Sequence, residues 1–342
     1  MNCYSILETF SSKKFKAIHR KEFNWTEIYT EIKNPLVYYR ENYIDFRLEC
    51  LKGTELECID ISFGIKLENK IIGLMPLFFI RKSNNNELSF LENSVYPIKF
   101  ISTISPNLKK EIANQIIKGI LILSELLKIK KLTFIDQLIP SKKLSLWHNI
   151  LLQHNFKCHI TRELFTDLKL DYLDLKKHYR KSYKSLISKG SRILNPYKFN
   201  GDDETVWQEF KLLHFKAAGR KTRSDRSWDL LFKEVMNNNS SFYYCTDQNG
   251  IMVGGSFIME NDFEAIYAVA AYNRELFNLP IGHFLQDFLI KDLLQTKKRW
   301  YRLGRKFHEM DLDRPTNKEI QIGKFKSGFS TDSIANFRFS LI

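Results

Sequence analysis

Tyr272-Asn-Arg-Glu-Leu-Phe-Asn-Leu-Pro-Ile-Gly-His283 runs directly into Phe284-Leu-Gln-Asp-Phe-Leu-Ile-Lys-Asp-Leu293. Ile281, Phe284, Leu285, Phe288, Leu289 and Leu293 recur at helical spacing, which predicts a helix from Ile281 to Leu294 with one buried apolar stripe. Pro280 precedes the first turn, where a missing N–H costs nothing. Gly282 removes a side chain within that turn. A helix start stripped in this way leaves its N–H groups and positive dipole end open to an anion. An ordinary Pro-Gly helix start is written with the same letters, so the surrounding chain has to decide.

Upstream, Ser241–Thr246, Ile251–Met259 and Phe263–Ala270 alternate as strands, with turns at Asp247–Gly250 and Asn261-Asp262. Downstream, Trp300–Leu303 reads as a strand, followed by a loop up to Phe329. The first half has a similar outline. Cys58–Leu67 and Ile71–Ile80 form a hairpin about Glu68-Asn-Lys70, and Pro76 demotes the second strand to an edge or bulge. A polar loop follows at Ser83–Glu87, then a helix at Asn107–Lys128, a strand at Leu132–Ile135, a helix over 142–155 and a strand at Cys158–Leu168. Residues up to about 50 read as helix and loop. The recurrence predicts an internal duplication and a mixed α/β sheet flanked by helices in each half.

Between the halves, Leu175, Tyr179, Tyr183, Leu186 and Ile187 predict a helix over 175–192, with Gly190 as its cap. Lys176, Lys177, Arg180, Lys181, Lys184, Lys189 and Arg192 give it a basic face with no acid. The expected division is 1–172, a basic junction helix at 173–200, and 201–342, which carries most of the site.

The whole chain of 342 residues holds 53 basic and 39 acidic side chains, a net charge of +14. The excess favours anionic partners such as phosphorylated metabolites or nucleic acid, although a Lys-rich composition gives the same sum. Twenty-seven Phe and 15 Tyr supply enough apolar surface for two cores. Five cysteines with no C-x-x-C spacing suggest neither a disulfide framework nor a zinc site, which fits the cytoplasm. Neither an apolar signal core nor a transmembrane segment is expected, because the longest apolar runs fall short of about 20 residues.

Arg220 and Arg223, in Ala218-Gly-Arg-Lys-Thr-Arg-Ser224, can grip a carboxylate or phosphate; an exposed basic loop is the plainer account. Val253, Gly254 and Gly255 lie inside a strand, where glycine marks a bulge or the close approach of a ligand along an exposed edge. His283 sits at the anion-binding helix start and can relay a proton. The His308–Asp313 stretch matches no metal pattern, so no metal is expected. No P-loop, dinucleotide-binding or nucleophile-elbow motif is present.

In order, Tyr179-Arg-Lys-Ser182, Ala218–Arg223, Ser227-Trp228, Val253-Gly-Gly255, the Tyr272–His283 helix start, Tyr301-x-Leu-Gly304 and Gly323-Lys-Phe-Lys-Ser-Gly-Phe329 resemble the FemAB-like acyltransferases of the GNAT superfamily. The resemblance spans about 172–332 and is architectural before that. It implies two tandem GNAT-like domains and transfer of an acyl group to an amine. It implies an acyl-CoA co-substrate bound by Val253, Gly254, Gly255, Ile281 and Gly282. Tyr272 and His283 would be catalytic, and Arg180, Arg220, Arg223, Arg274 and Lys326 would hold the substrates. The acceptor would be an amino sugar or other cell-envelope or polysaccharide precursor, anionic and nucleotide-linked. An aminoacyl-tRNA donor acting on a peptidoglycan precursor is the alternative; no paired long charged helices interrupt the second half, which favours acyl-CoA. A non-catalytic protein binding nucleic acid or a membrane surface is the other competing class.

Overall fold

The computed structural model describes residues 3–52, 57–81, 86–136, 138–141 and 143–341. The polar loop expected at Ser83–Glu87 falls mostly on 82–85, outside the described residues. The chain divides into two compact units, 1–161 with 335–342, and 162–334. Both have a mixed α/β architecture.

The first unit contains α1 (Cys3–Glu8), β1 (Phe15–His19), α2 (Trp25–Glu31), α3 (Glu41–Lys52), β2 (Glu57–Asp60), β3 (Phe63–Leu67), β4 (Lys70–Met75), β5 (Phe78–Arg81), β6 (Glu87–Ser89), β7 (Lys99–Phe100), α4 (Pro106–Leu126), β8 (Leu132–Asp136) and α5 (Leu146–Gln153). Strands run β1-β3-β4-β7 in one sheet and β2-β5-β6 in another. The strand β1 was not expected; its pairing with β3 from Phe15↔Leu67 to His19↔Phe63 supplies what local pattern did not. The run Ile71–Ile80 is not one strand. Pro76 has no N–H to give a ladder, and the chain breaks there, sending β4 and β5 into different sheets. Helix α4 starts where Ser105 accepts from Leu108 N, with Pro106 at its first position, and it buries Ile112, Ile116, Ile120 and Leu123.

The chain leaves this unit within β9 (Lys157–Asp167) and returns to it within β15 (Asp332–Leu341). Between them come α6 (Tyr172–His178), α7 (Lys181–Ile193), β10 (Asn195–Lys198), α8 (Glu204–Ala218), α9 (Asp225–Met236), β11 (Ser240–Thr246), β12 (Met252–Glu260), β13 (Glu264–Tyr272), α10 (Ile281–Leu293), β14 (Trp300–Lys306) and α11 (Asn317–Ser327). Neighbouring strands in the second unit are β10-β11-β12-β13-β14-β9. All neighbours are antiparallel except β13 and β14, which α10 joins by a crossover and which run parallel. Helix α10 buries Ile281, Phe284, Leu285, Leu289 and Leu293, the expected stripe apart from the partly buried Phe288.

Three local expectations are corrected here. The single helix over 175–192 is two helices, because Tyr179 and Arg180 take extended backbone. Arg180 N donates to Gly328 O at 2.9 Å and the Tyr179 ring meets Phe329 at 5.0 Å, so tertiary contacts draw the chain out of the helix. Gly190 is not a cap. It lies inside α7, where a Cβ would stand 2.5 Å from Phe284 Cβ, so its role is to let α7 and α10 touch. The loop expected after Leu303 contains α11, which opens with a capping box between Thr316 and Glu319.

Strand β12 is held on both sides, by β11 and by β13. A Cβ on Gly254 would lie 2.6 Å from Ile281 Cγ2, and one on Gly255 2.6 Å from Phe210 Cδ2. The two glycines therefore admit α10 and α8 to opposite faces of the sheet. Gly254→Val is expected to cost about 1–3 kcal/mol or more through overpacking, lowering the melting temperature by several degrees. Thermal unfolding checks it; a melting temperature equal to the parent's would remove the close-packing account.

Among the described residues, no helix is long and apolar enough to cross a membrane.

Candidate active site

The parallel pairing of β13 with β14 runs only from Glu264↔Trp300 to Ile266↔Arg302. Beyond it, β13 continues to Tyr272 on β12 alone. Strand β14 instead follows β9, through an irregularity between Arg302 and Gly304. Gly304 takes φ +103°, a conformation that a side chain resists, so the divergence is built on that glycine. The two strands part like the arms of a V. The backbone of Tyr267–Tyr272 then borders a cavity of about 930 Å³ that lies entirely in the second unit. A strand edge without a neighbour offers N–H and C=O groups to an extended ligand.

The first turn of α10 forms the next wall, through Ile281, Gly282 and His283. Pro280 provides no side-chain cap, and the first helical bond is Phe284 N to Pro280 O at 3.0 Å. The N–H groups ahead of it lie at the cavity, where the helix dipole favours an anion. The absent side chain of Gly282 matters here: a Cβ would lie 3.4 Å from both Tyr272 Cζ and Phe325 Cζ.

A small hydroxyl network sits beside that turn. Tyr272 Oη lies 2.8 Å from Tyr267 Oη and 3.3 Å from Ser256 Oγ. Burial holds both phenols above their usual range, so each stays protonated at neutral pH and serves as a donor. His283 stands edge-on to Tyr183 at 4.4 Å and Phe325 at 5.2 Å. Burial, aided by the Arg180 charge, pushes its pKa down to about 4, leaving a neutral imidazole. His214, 5.1 Å from the Trp228 ring, is likewise pushed down to about 4 by burial and by Arg223.

Cations complete the lining. Arg223 stacks on Trp228 at 4.8 Å, and Lys326 Nζ lies 5.4 Å from the Tyr267 ring centroid. Arg274 and Lys318 also face the cavity. Among the described residues, no group of three or more His, Cys, Asp or Glu is placed to hold a metal ion. Of the His308–Asp313 stretch, Asp311 and Asp313 both pair with the buried Arg305.

The structure thus brings Tyr272, His283, Ile281, Gly282, Arg223, Arg274 and Lys326 to one cavity. It does not bring the others. Arg180 is exposed; it donates to Lys324 O at 3.0 Å and covers the Tyr183 ring. Arg220 is exposed and off the lining. Val253, Gly254 and Gly255 sit in a strand paired on both sides, so the open edge expected there is absent. The open edge belongs to the next strand, β13. Tyr267, Ala268, Ala270, His214 and Lys318 line the cavity and were not anticipated. One signal was available for the strand: Ala268-Val-Ala-Ala271 keeps side chains small along a wall that must stay accessible.

No protein-family model and no curated protein sequence matches the chain. Solved structures do share its fold. FemX superposes with a TM-score of 0.65 at 11% identity, over 95% of this chain and 96% of FemX. L-PGS from Bacillus licheniformis gives 0.54 at 12% identity, over 78% of this chain and 80% of its own. The C-terminal DUF2156 domain of a putative lysylphosphatidylglycerol synthetase from Agrobacterium fabrum gives 0.53 at 9% identity, over 79% and 81%. At these identities the likeness establishes the fold, and the FemAB-like resemblance read in the sequence holds at that level.

Proposed function

We propose that this chain of FemAB-like, GNAT-type fold is an N-acyltransferase that moves an acyl group from acyl-CoA to the amine of an amino sugar or another anionic cell-envelope or polysaccharide precursor. The observation that carries the reading is the parting of β13 from β14 directly beside the uncapped start of α10. Pantetheine has two amides spaced along an extended arm, and the free edge of β13 can pair with them. Its pyrophosphate then meets the N–H groups of Ile281, Gly282 and His283, with Arg223 and Arg274 in reach of the remaining charge.

The chemistry needs no covalent intermediate. The amine nitrogen attacks the thioester carbonyl, the C–N bond forms, and the C–S bond breaks as the tetrahedral adduct collapses. Tyr272 Oη gives its proton to the leaving thiolate and regains one through Tyr267 Oη, 2.8 Å away. The neutral imidazole of His283 accepts the proton shed by the amine. Holding both reactants in one cavity supplies the rest of the acceleration. The same reading places the protein in the cytoplasm, where CoA thioesters are available.

Thermal unfolding with and without CoA tests the donor. A ligand at 100 times its Kd that binds only the folded state adds about 2.7 kcal/mol, a rise of several degrees for a chain of this size. A raised melting temperature with CoA and acetyl-CoA supports the reading. Unchanged melting with both, together with RNase-sensitive transfer from aminoacyl-tRNA, would replace the donor. Nucleic-acid binding that weakens steeply with salt, with no transfer at all, would replace the enzyme by a binding protein.

A further inference from the structure

Helix α7 begins against the rules that its neighbours keep. In the second unit, α8 starts on Asp203 with Glu204, α9 on Ser224 with Asp225, and α11 on Thr316 with Glu319. Each has a capping oxygen and an acid at the positive end of the helix dipole. The residue in that place before α7 is Arg180, whose side chain makes no cap bond. Lys181 then opens the helix and Lys184 ends its first turn, with no acid there. Lys181 with Lys184, and Lys189 with Arg192, are like charges three residues apart. All of this disfavours an isolated helix. The buried side compensates, with Gly190 against Phe284 and Tyr183 against His283.

The outer side is one continuous basic row. Lys181, Ser185, Ser188 and Arg192 follow one another along its middle, and Lys184 and Lys189 flank them; all six are exposed. Lysines elsewhere in this unit find acids: Lys177 has Asp174, Lys211 and Lys221 share Asp225, and Lys291 has Asp287. Among the described residues, no acid pairs with Lys181, Lys184, Lys189 or Arg192. The aromatic residues of this segment point inward, Tyr179 3% and Tyr183 4% exposed, so the outer face holds no ring on which a base could stack. Three of its four cations are lysines, which lack the planar fork that reads base edges. A row of point charges without rings suits a sheet of anionic headgroups better than a nucleic acid.

We propose that the outer face of α7 docks the second unit on an anionic membrane surface, whose phosphates supply the counter-charge that α7 lacks. The attachment is peripheral and electrostatic; among the described residues no helix is long and apolar enough to cross a bilayer. The face adjoins the cavity's α11 wall, because Arg180 Nη2 donates to Lys324 O at 3.0 Å. Nothing in this inference depends on the acyl donor.

Flotation of the full chain with lipid vesicles tests it. One set of vesicles is phosphatidylcholine alone, and the other adds phosphatidylglycerol at a three-to-one ratio. The chain is expected to float only with the second set, and less as salt is raised. Lys181→Ala, Lys184→Ala, Lys189→Ala and Arg192→Ala combined should weaken that binding about 100-fold or more, at about fivefold per cation. Lys13→Ala, Lys33→Ala, Lys110→Ala and Lys118→Ala combined remove the same charge from exposed positions of the first unit, and should change it less than about fivefold. The α7 variant should melt at or above the parent's temperature, since alanine favours the helix and relieves its repulsion. Should it melt lower, Lys184→Ala alone carries the test, with an expected loss of about fivefold. No binding to anionic vesicles, or equal loss in the two fourfold variants, overturns the inference. Binding of poly(U) or duplex RNA that depends on α7, where vesicles do not bind, overturns it in favour of a nucleic acid. CoA affinity measured on the same variants reports on the donor separately.

Discussion

Tyr272→Phe is expected to lower kcat for acyl transfer about 100- to 1,000-fold, with the KM for the acyl donor changing less than about threefold. The phenol is held protonated by burial, and its oxygen lies between Ser256 Oγ and Tyr267 Oη. A group in that state gives a proton to a thiolate only as the C–S bond breaks, so its loss acts on the transition state more than on binding. The ring would remain, filling the space beside Gly254 and Gly282. Loss of one hydroxyl from the network costs roughly 1 kcal/mol of stability, too little to unfold the protein. Single-turnover kinetics with saturating donor separate the chemical step from product release. Turnover equal to the parent's would remove Tyr272 from the chemistry, and the phenol would then be a structural partner of Ser256 and Tyr267.

The second large effect falls on the helix start. Gly282→Val should weaken acyl-CoA binding about 10- to 100-fold, because the added methyl groups stand over the N–H groups that receive the phosphates. The backbone itself tolerates the change. A Cβ at Gly282 meets Tyr272 Cζ and Phe325 Cζ at 3.4 Å, ordinary contact, and valine is slightly better than glycine within a helix. The Cγ atoms then have the cavity as their open direction. Melting temperature and CoA affinity measured on the same variant distinguish two roles for the glycine. A lowered melting temperature with unchanged affinity would show that Gly282 serves packing alone, in the manner of Gly190 and Gly254, and the anion site would be abandoned.

A comparison of Gly254 and Gly282 shows how far local letters reach. Both are glycines beside an apolar run, and both were expected at the donor. Gly254 proves to be a contact point, with Ile281 Cγ2 2.6 Å from where its Cβ would be. Gly282 lines the cavity, and a Cβ there would make only ordinary contact, 3.4 Å from Tyr272 Cζ and Phe325 Cζ. Nothing within a few residues of either distinguishes them. The difference is which element lies opposite.

The sequence by itself determined the elements whose signals are local. The stripe from Ile281 to Leu293 fixed α10, Pro280 and Gly282 marked its bare first turn, and alternation with Asn249-Gly250 fixed the β11–β12 hairpin. His283 and Arg223 stood out from that helix start and from a basic loop, whereas Tyr272, Arg274 and Lys326 were singled out through the FemAB-like resemblance. Only the tertiary structure decided which strand keeps an open edge. That edge lies on β13 and not on β12 because β14, reached through the α10 crossover, pairs with β13 for three residues and then turns away at Gly304. The tertiary structure also broke the basic helix at Tyr179-Arg180, through the carbonyl of Gly328. It also brought His214 and Lys318 to the cavity from α8 and α11. Helical and strand periodicity express contacts between residues a few positions apart, whereas a strand's free edge is set by partners many tens of residues away, and no local pattern encodes that.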